Sequence, residues 1–379
     1  MIRVGITGQV GFVGTHLYNT LGLFPDKFER ISFQDSFFQD SKKLSDFVSR
    51  CDAIVHLAAI NRHNDPEIIY QTNIELVRKL ISACDTSNAK PHILFSSSTQ
   101  EELNNSYGHS KKEGRELFGK WAAKNNSDFT GFVIPNVFGP FSNPYYNSVI
   151  ATFCHQLTHN ETPRIEIDGE LKLIYIAELI SEIIKHIELK FSKDASENKI
   201  EKILVPHRYI IKVSELLNKL TDYKIKYFES GTLPDISNSF DLILYNTFLT
   251  YIDHQSFFPF PLKLNTDNRG SFVETVKLRS GGQVSFSTTN PGITRGNHFH
   301  TRKAERFAVI KGDARIELRR VGTNSKLSFE LSGKKPSFVD MPVWFTHNIT
   351  NTGNEELFTI FWINEFFDQA DPDTYSEVV

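Results

Sequence analysis

The 379-residue chain predicts an α/β protein, a doubly wound parallel sheet at the N-terminus followed by an all-β barrel at the C-terminus. Three observations carry that expectation. Short apolar runs alternate with helical patterns as far as about Lys219, a glycine-spaced turn joins the first strand to the first helix, and beyond Pro261 the chain becomes short alternating strands. A chain of this length also exceeds what one core usually holds.

Ile2-Arg-Val-Gly-Ile-Thr7 is a short apolar strand, and Gly8-Gln-Val-Gly11-Phe-Val-Gly14 leads from it into a helical pattern through His16, Leu17 and Leu21. That spacing sets backbone N–H groups and a helix N-terminus against a pyrophosphate. Strands over Phe28–Phe33 and Cys51–Ala59 complete the β-α-β order of a Rossmann-like half. The second strand ends Ser32-Phe-Gln34-Asp35, where an acidic side chain favours NADH by bonding a free ribose hydroxyl, and no Arg stands there for a 2′-phosphate.

A further strand, Ile93-Leu-Phe-Ser-Ser-Ser98-Thr99, ends in hydroxyls, and Tyr107-Gly-His-Ser-Lys111 follows. Tyr107 and Lys111 are four apart and share a helix face. An ammonium beneath a phenol favours the phenolate, so Tyr107 can exchange a proton with a carbonyl that Ser98, or its neighbour Ser97 or Thr99, holds by a hydrogen bond.

Helix-like segments rich in Lys, Glu and Leu run to about Lys219, and Phe257-Phe-Pro-Phe-Pro261 opens the strand-rich part. The composition shift puts the boundary near residue 250, giving domains 1–250 and 251–379. The barrel strands read as Gln283–Ser287, Arg306–Ile310, Ala314–Leu318 and Leu357–Ile363. Within them His298 and His300 are two apart and leave the same face of a strand, Glu305 follows a short turn, and His347 returns on a neighbour. Three imidazoles and a carboxylate converging from adjacent strands make a first-row metal site, zinc, iron or manganese. A His-rich surface strand would give no reason for Glu305 or His347.

With 42 basic and 45 acidic residues, no basic stripe and no apolar run of membrane-spanning length, neither a nucleic-acid nor a membrane partner is expected. Three widely spaced cysteines, Cys51, Cys84 and Cys154, suit a reducing cytoplasm, and the N-terminus reads as a strand rather than a signal peptide. The 32 phenylalanines are not interleaved with basic residues and point to packed cores.

The barrel motif resembles the cupin family. Gly292, His298, His300, Glu305 and Gly312 match its first motif, and Pro342, His347 and Asn351 its second, although Trp344 stands where that family usually has Gly and the upstream Gly is displaced to Gly333. The resemblance implies a divalent metal, zinc above all, and pairing of two chains through the barrel sheets as a homodimer. The N-terminal 245 residues resemble the extended short-chain dehydrogenase/reductases that act on nucleotide sugars. That resemblance assigns Gly8, Gly11 and Gly14 to the phosphate turn, Asp52 to the adenine and Leu57-Ala58-Ala59 to the diphosphate. It makes Asn73 structural, Ser98, Tyr107 and Lys111 the catalytic trio, and Asn136 a contact to the sugar nucleotide.

The whole chain further resembles bifunctional enzymes of capsule and O-antigen synthesis, through Ser96–Ser98, Tyr145–Phe153, Asp267–Phe272, Pro291–Thr294 and Asp371–Tyr375. This likeness implies that the barrel epimerises carbon 3 of UDP-2-acetamido-2,6-dideoxy-4-hexulose. The reductase then uses NADPH on the carbon-4 ketone, giving UDP-N-acetyl-6-deoxy-L-talosamine on the route to UDP-N-acetyl-L-fucosamine. Arg269, Glu274 and Tyr375 are the candidates to move the epimerisation proton, and Arg3, Arg30 or Arg62 the candidates to meet a 2′-phosphate. Two other classes fit parts of the pattern, a reductase with a structural, dimerising cupin and a metal oxygenase.

Overall fold

A computed structural model describes residues 1–191, 199–268, 270–273, 275–277 and 281–379. Two compact units emerge: Met1–Phe138 with Glu170–Ile210, and Gly139–Gly169 with Ile211–Val379. In chain order the first elements are β1 (Ile2–Thr7), α1 (Phe12–Gly22), β2 (Phe28–Ile31), α2 (Ser41–Ser49), β3 (Ala53–His56), α3 (Pro66–Ser87), β4 (His92–Ser98), α4 (Ser106–Asn125), β5 (Phe129–Ile134) and β6 (Asn136–Phe138). α5 (Val149–Thr158) belongs to the second unit; β7 (Glu170–Tyr175), α6 (Ile176–Lys190) and β8 (Ile200–Leu204) return to the first, and β9 (Tyr209–Lys212) ends it.

The first unit is a six-stranded sheet in the order β2-β1-β3-β4-β5-β8, parallel throughout. β3 and β5 are buried at every position, which is why they read as unbroken apolar runs rather than alternating ones. The strand order reverses between β1 and β3, and at such a switch point the crevice outside the carboxyl ends of the strands takes ligands. Phenylalanines fill the core beside the sheet: Phe33, Phe38, Phe47, Phe95, Phe118 and Phe129 form one buried cluster. Two helix starts are fixed by side chains. Asp65 accepts from the Glu67 N–H at 2.9 Å ahead of Pro66, and Asn105 accepts from Gly108 N–H at 2.7 Å at the head of α4.

The second unit continues with α7 (Val213–Tyr223), α8 (Ser239–Leu249), α9 (His254–Phe257), β10 (Phe260–Pro261), β11 (Leu264–Asp267), β12 (Gly270–Val273), β13 (Gln283–Thr289), β14 (Thr294–Phe299), β15 (Glu305–Lys311), β16 (Asp313–Arg320), β17 (Lys326–Ser332), β18 (Ser337–Met341), β19 (Phe345–Asn351), β20 (Leu357–Ile363) and β21 (Tyr375–Ser376). Two five-stranded sheets, β10-β18-β15-β20-β13 and β17-β16-β19-β14-β21, pair antiparallel. The α/β-plus-all-β class expected from the sequence is the observed one.

The compositional cut at residue 250 falls inside this second unit. Buried polar contacts bind the helical stretch to the β part. The fully buried Arg306 guanidinium bonds Asp340 at 2.8 and 3.0 Å and the Gly231 carbonyl at 2.6 Å, while the Tyr227 hydroxyl donates to the same Asp340 carboxylate. The Asn246 amide donates to the Arg302 carbonyl at 2.9 Å. Composition registers helices and strands but is blind to such pairing. Among the described residues no helix is long and apolar enough to cross a membrane.

Candidate active sites

The phosphate turn is tight for a steric reason. Gly8 has φ +70°, and a Cβ there would come within 2.8 Å of the Ala58 nitrogen; at Gly14 a Cβ would meet the Gly8 carbonyl at 2.3 Å. Ala58 is drawn in because the Leu57 N–H donates to the Thr7 carbonyl at 3.1 Å and the Ala58 N–H to the Thr7 hydroxyl at 3.4 Å. Gly8, Gly11, Gly14, Leu57 and Ala58 therefore meet at the carboxyl edge of β1 and β3. Asn73 fastens the following loop to α4. It accepts from the Ile60 N–H at 2.8 Å, donates to the Ile60 carbonyl at 2.9 Å and reaches the Ser110 hydroxyl at 3.0 Å.

At the end of β4 the strand period separates the serines. Ser97 turns to one face and donates to Glu101, whose carboxylate receives the Arg115 guanidinium through two 2.8 Å bonds. Ser96 and Ser98 take the other face. The Ser98 hydroxyl accepts from the Gln100 N–H at 3.2 Å at the very end of the strand. Lys111 is buried on α4; its ammonium donates to the Ser96 carbonyl at 2.8 Å and lies 5.6 Å from the centre of the half-buried Tyr107 ring. Burial pushes the Lys111 pKa down to about 8. Asn136 is exposed where β6 begins. The end of β4 and the head of α4 thus carry Ser98, Tyr107 and Lys111, while Asn136 stands in a separate three-stranded sheet, β6-β7-β9; of the three hydroxyls open to choice, Ser97 is committed to Glu101.

Asp52 is not at that edge. It precedes β3, accepts from the Arg3 backbone N–H at 2.8 Å and pairs with its guanidinium at 2.6 and 3.1 Å. Four strand residues separate it from the carboxyl end, roughly 13 Å. The Arg3 hydrogen bonds outweigh the cost of burial and hold its carboxyl below the usual range. The adenine role read for Asp52 is therefore corrected to an ion pair with Arg3. β2 ends at Ile31, two residues earlier than read, and the exposed Asp35 opens a short 3-10 turn after it. Arg30 stacks 4.3 Å from the Tyr18 ring and donates to the Tyr18 carbonyl, so it and Arg3 are both engaged elsewhere.

In the second unit His298 lies directly across from His347 on paired strands, while Glu305 opens β15 in the other sheet. One ligand atom from each of His298, His300, Glu305 and His347 falls within 4.8 Å of all the others. A bulge at Gly296 (φ +98°) and Asn297 (φ +59°) turns the end of β14 into this cluster. The outer nitrogens are fixed: His300 Nδ1 bonds the Asp373 carbonyl at 2.5 Å, and His347 Nδ1 the Phe345 carbonyl at 3.1 Å. Their Nε2 atoms then carry lone pairs and face Glu305 Oε2 at 3.5 and 3.0 Å. All three atoms are buried without a hydrogen-bond partner. Neutral imidazoles facing a carboxylate need a positive charge among them, either a cation or a proton on an imidazole, and against the cost of burial Glu305 favours the protonated form of His300. Burial, then His347 and His300, push the His298 pKa down to about 4, leaving it a neutral donor.

Trp344 replaces the usual glycine yet keeps a left-handed backbone, φ +63°, with its N–H on the His300 carbonyl at 2.7 Å and its ring stacked on Phe299 at 5.5 Å. Arg269 and Glu274 lie outside the described residues. Tyr375 stacks on the other side of the cluster strand, 5.4 Å from Phe299. Sequence reasoning missed Asp373, which belongs to the Asp371–Tyr375 segment and grips the loop after His300.

Known proteins match both halves. Residues 4–188 fit the NAD dependent epimerase/dehydratase family and residues 265–375 the polysaccharide biosynthesis C-terminal domain. The UDP-2-acetamido-2,6-beta-L-arabino-hexul-4-ose reductase of Pseudomonas aeruginosa is 33% identical over 380 residues, covering 99% of this chain and 98% of that protein. The capsular polysaccharide assembling protein CapF from Staphylococcus aureus is 34% identical over the full length of both chains, with a TM-score of 0.62. The fold of the first unit also recurs in RMD from Pseudomonas aeruginosa complexed with NADPH, at 19% identity, TM-score 0.51, over 59% of this chain and 82% of that one. With full-length identity above 30% to both a 4-hexulose reductase and CapF, the chain belongs to their family of nucleotide-sugar reductases of polysaccharide biosynthesis.

Proposed function

We propose that this is a cytoplasmic bifunctional enzyme acting on UDP-2-acetamido-2,6-dideoxy-4-hexulose, with epimerisation at carbon 3 in the barrel and reduction at carbon 4 on the parallel sheet. The observation that carries the first activity is the set of buried, unpartnered atoms His300 Nε2, Glu305 Oε2 and His347 Nε2. With His298 they suit a divalent metal, zinc in our reading, by donor type and number. When bound, such an ion supplies Lewis acidity that makes the proton beside a ketone removable. The barrel residues would hold the sugar, pass the removed proton to solvent and deliver a solvent-derived proton to the opposite face, inverting carbon 3.

For reduction, Gly8, Gly11, Gly14, Leu57 and Ala58 seat the cofactor diphosphate, and Asn136 meets the sugar nucleotide. A reduced nicotinamide bound there would supply the hydride for carbon 4, and Tyr107 would give its phenolic proton to the ketone oxygen. Lys111 stabilises the phenolate left behind, and Ser98 orients the ketone by a hydrogen bond. The 4-hexulose named for the Pseudomonas relative supports this substrate. NADPH is the reading favoured by full-length likeness; the exposed Asp35, with Arg3 and Arg30 engaged elsewhere, is what argues for NADH.

A second reading, a reductase whose cupin only pairs two chains, draws on the exposed Val284 and Phe286 of edge strand β13, 53% and 72% accessible. Pairing through this edge fits both readings, so the homodimer is part of our proposal and does not separate them. Product analysis by NMR does. The 4-hexulose incubated without reduced cofactor should give the carbon-3 epimer, and with NADPH the 6-deoxy-talosamine sugar; reduction without inversion at carbon 3 would leave the single-activity reading. A kcat/KM for NADH more than about tenfold above that for NADPH, roughly 1.4 kcal/mol, would assign cofactor choice to Asp35.

A further inference from the structure

Residues 375–377 are built onto the strand that bears His298 and leads into His300. β21 pairs with β14, Ser376 opposite His298 and Tyr375 opposite Phe299. Beyond it the Glu377 N–H donates to the Asn297 carbonyl at 2.9 Å, and Arg319 bonds the Glu377 carboxylate at 2.7 Å. Asp373 is the tightest point of this strap. It is 2% exposed and adopts φ +41°, a left-handed conformation that Asp tolerates better than most residues. Its carboxylate accepts from the backbone N–H groups of Thr301, Arg302 and Lys303 at 3.1, 2.9 and 3.2 Å, and from the Thr301 hydroxyl at 2.6 Å.

The same residue's carbonyl takes Nδ1 of His300. One aspartate therefore secures the three residues that follow His300 and, through its own backbone, the far side of the imidazole. The nearby bonds from Arg302 to the Asp371 carboxylate at 2.8 Å and from Lys303 to the Pro372 carbonyl at 2.7 Å hold the segment in place.

We propose that Asp373 is a positioning residue for the barrel site. It fixes the His300 tautomer with Nδ1–H outward, so that the Nε2 lone pair faces Glu305 and His347. The carboxylate acts on the loop, the loop and the strained Asp373 backbone place the carbonyl, and the carbonyl orients the ring. Outer partners of this type typically govern metal affinity by a factor of about 10–100. The inference rests on the metal reading of the four side chains.

The test is metal binding by the full-length protein, by zinc competition against a chelator and by the visible absorption of the cobalt(II)-loaded form. Asp373→Ala should weaken both metals by about 10–100-fold and alter the cobalt band, because His300 is free to rotate. Thr301→Val removes one bond to Asp373 and should shift affinity in the same direction by less; it also serves if Asp373→Ala does not fold. Variants that melt at lower temperature but bind cobalt with unchanged affinity and spectrum would overturn the proposal, leaving Asp373 a mere anchor of the tail. Wild-type protein that takes up neither metal would instead overturn the metal reading itself.

Discussion

The two candidate sites, which we propose both handle a ketone, treat their polar atoms differently. At the sheet edge the groups assigned to reduction are met by the protein: the Lys111 ammonium has the Ser96 carbonyl, Ser97 has Glu101, and Asn73 has both groups of Ile60, while Gln9 Oε1, His56 Nε2 and Asn61 Oδ1 are single buried atoms without a partner. In the barrel the inward nitrogens of His300 and His347 and an oxygen of Glu305 have no partner. An unsatisfied buried cluster costs free energy until a cation fills it, so it argues for a resident ligand.

The sharpest way to break the contrast is to remove two of the barrel donors. His298→Ala combined with His347→Ala should abolish carbon-3 exchange and metal content while reduction of an already epimerised ketone continues. Exchange that survives without metal would make the barrel a metal-free epimerase. The reciprocal variant, Tyr107→Phe, should slow cofactor oxidation by about 10²–10⁴-fold and leave carbon-3 exchange intact. Undiminished oxidation would remove Tyr107 from its role.

Trp344 sharpens the comparison on the stability side. Trp344→Gly relieves a left-handed backbone worth about 1–2 kcal/mol but deletes a buried indole worth about 3–5 kcal/mol, so a net loss of about 2–3 kcal/mol is expected in denaturant unfolding. A stabilised variant would mean that strain dominates the turn ahead of His347. The smallest effect is in pH. Burial favours the neutral Lys111 amine, so its proton leaves as pH rises through about 8, and with it the charge that stabilises the Tyr107 phenolate. The kcat/KM for reduction should therefore fall above that pH, and carbon-3 exchange should not share this limb. A reductase profile flat to pH 9.5 would contradict the assignment of Lys111.

What the sequence made legible follows from what is local. Gly8, Gly11 and Gly14 are fixed by one turn, Tyr107 and Lys111 by one helix face, and His298, His300 and Glu305 by a strand and its return. Asp52 was misread because its edge of the sheet is known only from the register of β3 on β1, where Val4 faces Ala53. Asp373 went unseen because it lies 73 residues from His300 and acts through its backbone. The burial of the Arg306–Asp340 pair against Tyr227, which ties the helical stretch to the β part, leaves no compositional trace.

We propose that the barrel does chemistry of its own. Incubating the 4-hexulose with wild-type, metal-loaded protein in D2O and no nicotinamide tests it most directly, by NMR at carbon 3. Deuterium should enter there with inversion, at the same rate in Tyr107→Phe, and not at all in the two-histidine variant. Full retention of hydrogen at carbon 3 in the wild type would contradict it.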